Sequence, residues 1–318
     1  MRWIKLGRVF DPREFELPDD CSEFAQAPQV LLLGDVVRTY FSTRFRDDSG
    51  KYLSHVAFVD FDRHFDVLRV STDTVVGLGK LGCYDEHGVF PFNVLRTEHG
   101  LFGYIGGWSR RVSVSVDGSI GLAVSEDDGL TFRRMGDGPV LTSSPKEPFL
   151  IGDPFVQVFG GLFHMWYIFG TAWKRFSRHG APERIYKIGH AESRDGVEWQ
   201  RREEGRHVVA DVLGGDESQA LPTVIKIDRR YHMFFCFRQS YGFREHQERA
   251  YRIGHAVSED LHTWARDDDG FGLDVSDGAW DSDMVCYPHV FGMDGAVYLM
   301  YNGNEFGRFG FGLAKLEE

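Results

Sequence analysis

Five prolines, at positions 28, 91, 154, 222 and 288, stand 63, 63, 68 and 66 residues apart. Each introduces a short apolar stretch: Pro28-Gln29-Val30, Pro154-Phe155-Val156, Pro222-Thr223-Val224 and Pro288-His289-Val290, with Pro91-Phe92-Asn93-Val94 carrying one inserted residue. A turn follows (Gly34-Asp35, Gly160-Gly161, Asp228-Arg229, Asp294-Gly295), then an aromatic-rich run such as Val36 to Phe41, Phe163 to Tyr167, Tyr231 to Phe235 or Val297 to Tyr301. β-Branched and aromatic runs bounded by turn residues read as hairpins. A third stretch recurs as Ile120 to Ser125, Ile188 to Ser193 and Ile253 to Ser258, with weaker copies at Val56 to Val59 and Phe311 to Ala314. After the three strong copies, an acidic or glycine turn leads to Phe132, Trp199 or Trp264 and a fourth strand. Four strands per period, five times over, predict an all-β chain folded as a five-bladed β-propeller of four-stranded antiparallel blades.

The expected organisation is one propeller domain over 1–318, with blades at roughly 20–75, 84–140, 147–210, 216–273 and 280–318. The last copy stops at its third strand, so Trp3-Ile4-Lys5-Leu6 is expected to supply the missing outer strand and close the ring. A sandwich of unrelated hairpins does not account for five matched copies. With 318 residues and 42% hydrophobic composition the chain can bury cores of this extent. Its net charge of −12 argues against a partner such as nucleic acid. No run approaches the ~20 apolar residues of a membrane span, and Met1-Arg2-Trp3-Ile4-Lys5 lacks the apolar core of a signal peptide, so a cytoplasmic location is expected. Cys21, Cys83, Cys236 and Cys286 have neither metal-ligand spacing nor a disulfide framework and read as free thiols.

In a propeller, residues just before the first strand of a blade and just after its second meet at one mouth. Five positions before the proline stand Glu23, Glu86, Glu217 and Asp283, while the third copy has Asp153 directly before Pro154. Sixteen positions after it stand Arg44, Gly170, Arg238 and Asn304, with Trp108 the nearest counterpart in the second copy. Acids that move protons or stabilise positive charge, beside planar groups that hold a ring, are what sugar chemistry needs. The candidate catalytic residues are therefore Glu217, Asp153, Glu23 and Asp283, and the candidate substrate contacts Arg44, Arg238, Trp108, Asn304 and Glu86. For any one carboxylate, capping of strand amides is the competing role. The loops 44–52, 108–119, 170–187, 238–252 and 303–311 carry 15 Lys and Arg against 7 Asp and Glu. This mouth is positive on an acidic protein, which suits an anionic ligand.

The unit from Ile188 to Trp199, Ile-Gly-His-Ala-x-Ser followed by Asp-Gly and Trp, resembles the repeat of glycoside hydrolase family 43 and its relatives in families 32, 62, 68 and 130. Those families share a five-bladed propeller, and the resemblance covers nearly the whole chain. Ser125-x-Asp127-x-Gly129-x-Thr131-Phe132 is also similar to the Asp-box of sialidases, whose six blades fit less well than five. The family-43 pattern uses a base Asp opening blade one, an orienting Asp and an acid Glu. By that resemblance Asp153 matches the orienting Asp, while the base position is Ala27 and the acid position Ala220. Glu217 lies near the second and Glu23 near the first, so these are the substitutes the resemblance suggests.

The segments Glu217 to Pro222, Trp280 to Pro288 and Tyr301 to Asn304 resemble a divergent propeller group found with bacterial surface-polysaccharide genes. They are also similar to the N-terminal region of plant glucosamine inositolphosphorylceramide transferase. That resemblance implies glycan assembly or modification, by a glycosidase-like or glycosyl-transferring enzyme with no cofactor. The alternative is a non-catalytic carbohydrate-binding or scaffold propeller that has lost the acid and base. A metal enzyme using His190, His255 or His289 is the weakest reading, because the first two occupy the repeated strand and are expected to hydrogen-bond between blades.

Overall fold

The computed structural model describes residues 1–317. Strand β1 (Trp3–Phe10) comes first; then β2 (Glu23–Leu33), β3 (Val36–Arg46), β4 (Tyr52–Phe61) and β5 (Val67–Val70) form one antiparallel unit. A second unit contains β6 (Gly88–Thr97), β7 (Gly100–Arg110), β8 (Val116–Ser125) and β9 (Arg133–Arg134); a single parallel pair, Ser54 with Gly88, links it to the first. The third is β10 (Ile151–Phe159), β11 (Leu162–Lys174), β12 (Glu183–Ser193) and β13 (Gln200–Arg202). The fourth is β14 (Glu217–Ile227), β15 (Arg230–Gln239), β16 (Arg252–Ser258) and β17 (Ala265–Arg266). The last comprises β18 (Cys286–Met293), β19 (Ala296–Asn302) and β20 (Phe311–Leu316), with β1 as its outer strand, paired from Trp3 opposite Leu316 to Phe10 opposite Phe311 across two register shifts. The N-terminal strand therefore completes the last unit, as the missing fourth strand predicts.

An antiparallel unit of this kind is apolar on both faces and must be covered on both. Leu31, Tyr40 and Phe58 of the first unit pack with Phe92, Ile105 and Phe132 of the second. Similar clusters join second to third around Tyr104 and Met165, third to fourth around Trp166 and Met233, and fourth to fifth around Phe234 and Leu299. The circle closes where Phe10 meets Phe41 at 5.2 Å and Phe311 at 5.3 Å between ring centroids. Tyrosine hydroxyls stitch neighbours together: Tyr40 donates to the Gly129 carbonyl at 2.7 Å and Tyr104 to that of Gly196 at 3.0 Å.

The recurring Ile-Gly-x-Ala has a packing reason. A Cβ on Gly121 would collide with the Tyr84 ring, and one on Gly312 with Trp280. The repeat histidines are structural too. His164 pairs with His190 at 3.1 Å and His232 with His255 at 3.0 Å, each pair bridging adjacent strands of the same unit. The expectation of bonds between blades is corrected accordingly. Burial holds His190 neutral, its pKa pushed down to about 3. The four thiols are free.

Buried carboxylates latch the units. Asp85 binds Arg134 of β9, Glu147 binds Arg201 of β13, Glu217 binds Arg266 of β17, and Asp281 binds Lys5 of β1. In each case the segment leading into the inner strand is tied to the outer strand of its own unit. Glu217 is fully buried and accepts from Val212 N, Leu213 N, Gln219 Nε2 and Arg266 Nη1, the last at 2.6 Å. Burial raises its pKa, but the Gln219 and Arg266 hydrogen bonds outweigh burial and hold it below the ordinary 4.5. Replacing Arg266 with Met strands that charge, so Arg266→Met is expected to lose about 3 kcal/mol in urea unfolding at pH 7, and adding Glu217→Gln to restore part of it. Since the folded pKa is the lower one, the Glu217 contribution is complete above pH 4.5 and fades as pH falls through the folded value.

Candidate functional site

Each inner strand carries the same irregularity. Between Gln26 and Gln29, Val89 and Phe92, Gly152 and Phe155, Ala220 and Thr223, and Cys286 and His289, the strand advances three residues while its partner advances two. Such one-residue bulges re-aim side chains. The residue before the marker proline takes the strain at four of the five sites: Ala27, Asp153, Leu221 and Tyr287 have φ of 52, 50, 48 and 55°. In the second unit the corresponding residue is Phe90. Ala27, Leu221 and Tyr287, with Phe90 against them, belong to one apolar cluster at the axis, with Ala220 among them.

A cavity of about 440 Å³ opens on this cluster. Asp153, Phe90, Leu221 and Tyr287 form part of its floor, and Tyr186, Tyr251 and Trp108 stand in its wall with Arg44, Arg184 and Arg244. Asp153 is buried and accepts one hydrogen bond, from Leu221 N at 3.2 Å. Burial raises its pKa to about 7, against the weaker opposing pull of that hydrogen bond and of Arg184. A carboxyl poised near neutrality can hold or take a proton at physiological pH.

The cations are under-compensated. Arg244 lies 3.5 Å from Glu183, whereas Arg44 and Arg184 make no ion pair among the described residues, and Arg184 reaches only Ser115 Oγ at 3.3 Å. Burial lowers the pKa of Arg44, and the like charges of Arg184 and Arg244 lower it further. Its Nε is buried without a partner. Behind the wall, Arg238 is buried and stacked 3.5 Å from the Phe243 centroid, with no carboxylate partner. It donates to Tyr186 Oη at 2.9 Å, and Tyr186 and Tyr251 share a hydroxyl hydrogen bond of 2.6 Å. Arg238 therefore supports the tyrosine wall and does not itself line the cavity.

The structure brings Asp153, Arg44 and Trp108 together and separates the other expected residues. Glu23 is paired with Arg308 at 2.8 Å; Glu86 accepts from Gly82 N and faces His87; Glu217 is spent in its latch; and Asp283 is exposed beside Ser282. None lines the cavity, so the expected carboxylate ring is absent there. Asn304 holds the backbone amides of Asp283 and Met284 and also lies outside it. The count five positions before the proline lands on the strand starts Glu23 and Glu217 and on the turns ahead of strands at Glu86 and Asp283, where local pairing and capping prevail. The bulge aims the residue immediately before the proline, so the pre-proline series was the usable signal. Arg184 and Arg244 were visible only as part of a loop charge excess.

This architecture is a β-propeller, a fold it shares with solved glycoside hydrolases. A solved structure described as a glycoside hydrolase is 19% identical, with a TM-score of 0.74 over 99% of this chain and 91% of that one. A thermostable family-43 glycoside hydrolase gives 0.65 at 14% identity over 92% of this chain and 90% of that one, and an endo-arabinase from Bacteroides thetaiotaomicron gives 0.65 at 12% over 98% of each. At such identities the likeness concerns the fold. No family model matches the sequence. The chain belongs to the family of the Mycobacterium tuberculosis protein Rv1502, described as uncharacterized, to which it is 35% identical over the full length of both. The strain CDC 1551 protein MT1551 matches to the same extent.

An acid whose folded pKa is raised binds its proton more tightly folded than unfolded. Stability from Asp153 is therefore complete below its ordinary value of 3.8 and declines as pH rises toward about 7. Asp153→Asn is expected to remove this decline, seen as a smaller loss of urea midpoint between pH 5 and pH 8 than in the wild type.

Proposed function

We propose that this chain is a carbohydrate-active enzyme built as one five-bladed domain over 1–318. It would act in the cytoplasm on an anionic sugar or glycoconjugate of bacterial surface-polysaccharide metabolism. The observation that carries the reading is Asp153, a carboxyl near neutrality on the floor of a cavity where, among the described residues, Arg44 and Arg184 lack counter-charges. In its neutral form Asp153 would donate a proton to a departing glycosidic oxygen; ionised, it would accept one from an attacking hydroxyl or water. The Arg44, Arg184 and Arg244 group would take the ligand's carboxylate or phosphate through charge-assisted hydrogen bonds. Trp108 and the tyrosines would bound the sugar ring. Among the described residues no helix is long and apolar enough to cross a membrane.

One observation favours a second reading, a carbohydrate-binding propeller without turnover. The positions matching the family-43 base and acid, Ala27 and Ala220, are buried in the axial cluster. The two readings part in one experiment, using a panel of 4-nitrophenyl glycosides for turnover and calorimetry with D-glucuronate, glucose 1-phosphate and glucose for binding. An enzyme should lose about 10²–10⁴-fold in turnover on Asp153→Asn with its affinity kept within threefold. Arg184→Gln should weaken the acidic probes at least tenfold and leave glucose unchanged. Binding of the acidic probes without turnover would select the second reading, and binding of none would remove the anionic-sugar proposal.

A further inference from the structure

The paired histidines of the third unit have company that those of the fourth lack. In the fourth, the residue opposite His232 across the strands is Val257; in the third, the residue opposite His164 is Glu192. Glu192 Oε1 lies 3.7 Å from His164 Nδ1 and 3.8 Å from Nε2 of His262, which belongs to the turn after β16 of the next unit. His164 Nδ1 and His190 Nε2 are 3.1 Å apart. The ligand atoms of His164, His190 and Glu192 all lie within 4.8 Å of one another, and the His190 and His262 rings are 5.6 Å apart between centroids. None of the four lines the axial cavity.

We propose that His164, His190, Glu192 and His262 form a zinc site that pins the third unit to the fourth. A tetrahedral ion with bonds of about 2.0–2.2 Å holds its ligand atoms roughly 3.3–3.5 Å apart. The His164–His190 and His164–Glu192 edges of 3.1 and 3.7 Å bracket that spacing, and the two nearly coplanar rings, 9° apart, would turn to aim both nitrogens at the ion. His262, 3.8 Å from Glu192, lies outside that close group and would swing its half-exposed ring in to complete a set of three imidazoles and one carboxylate, the arrangement of a structural rather than a catalytic ion. The surroundings suit ligation. Arg202 Nε lies 3.5 Å from Glu192 Oε2, which orients the carboxylate and leaves Oε1 for the ion. Without the ion, one ring N–H fills the gap between His164 and His190. Binding moves that proton to the same ring's other nitrogen, so both facing nitrogens become ligands with no change in ring charge. Half-exposed His262 and the partly exposed Glu192 give a path from solvent.

The experiment uses the full chain, stripped with EDTA and desalted, and titrated calorimetrically with zinc chloride. One ion per chain with a Kd below about 1 µM is expected, with a melting temperature raised by several degrees in zinc. The doubly substituted chain, Glu192→Gln with His262→Ala, changes only the more accessible pair and should fold, bind at least thirtyfold more weakly and lose the thermal shift. Each single substitution should fall between. Absence of a zinc-dependent heat, or a double variant that binds like the wild type, would overturn the site. Neither result touches the cavity, so this proposal stands or falls independently of the sugar reading.

Discussion

The structure depends on closure of a ring of two-faced sheets. Each four-stranded unit is too thin to bury its own apolar residues, so the faces of one are covered only by its neighbours, and a missing contact anywhere would leave two faces wet. The closing contact is made by β1, which pairs with β20 and carries Phe10 into the cluster shared with Phe41 and Phe61 of the first unit. Trp3 at the other end of the same strand packs on Phe234 and Phe271 of the fourth unit, so one strand serves two interfaces. The polar links follow the same circular order: Asn93 bonds Gln29 of the unit before it and the Val156 amide of the unit after.

With the ring closed, the bulges acquire their meaning. A one-residue insertion in each inner strand turns the pre-proline side chain toward the axis, and five such residues from five units converge there. Four are apolar or aromatic and one is Asp153. The same low-dielectric surroundings that make the cluster stable raise the pKa of that single carboxyl, because the charged form has lost its water and gained only one hydrogen bond.

Charge is distributed in two modes. Asp85, Glu147, Glu217 and Asp281 are buried but paired, each with a cation on the outer strand of its unit, and they latch the unit together. Around the cavity the pairing fails: among the described residues Arg44 and Arg184 have no carboxylate partner, while Arg238 is held by aromatic faces and the Tyr186 hydroxyl. Burying unpaired cations costs folding free energy, so these arginines are held against stability rather than for it.

The sequence by itself determined the repeat, the strand content of each copy and the need for an outer strand from the N-terminus, because alternation, turn residues and proline spacing are local properties that a ring merely copies five times. It also singled out Asp153, Arg44 and Trp108, which sit at strand ends near the repeat marker. Only the tertiary structure decided that Glu217 faces Arg266 and not the cavity, although the two are 49 positions apart. Spacing along a strand does not reveal which way a bulge turns a side chain, nor which distant cation neutralises a carboxylate. For the same reason the convergence of Tyr186, Tyr251 and Arg184 on the Asp153 cavity came from the closure of the ring.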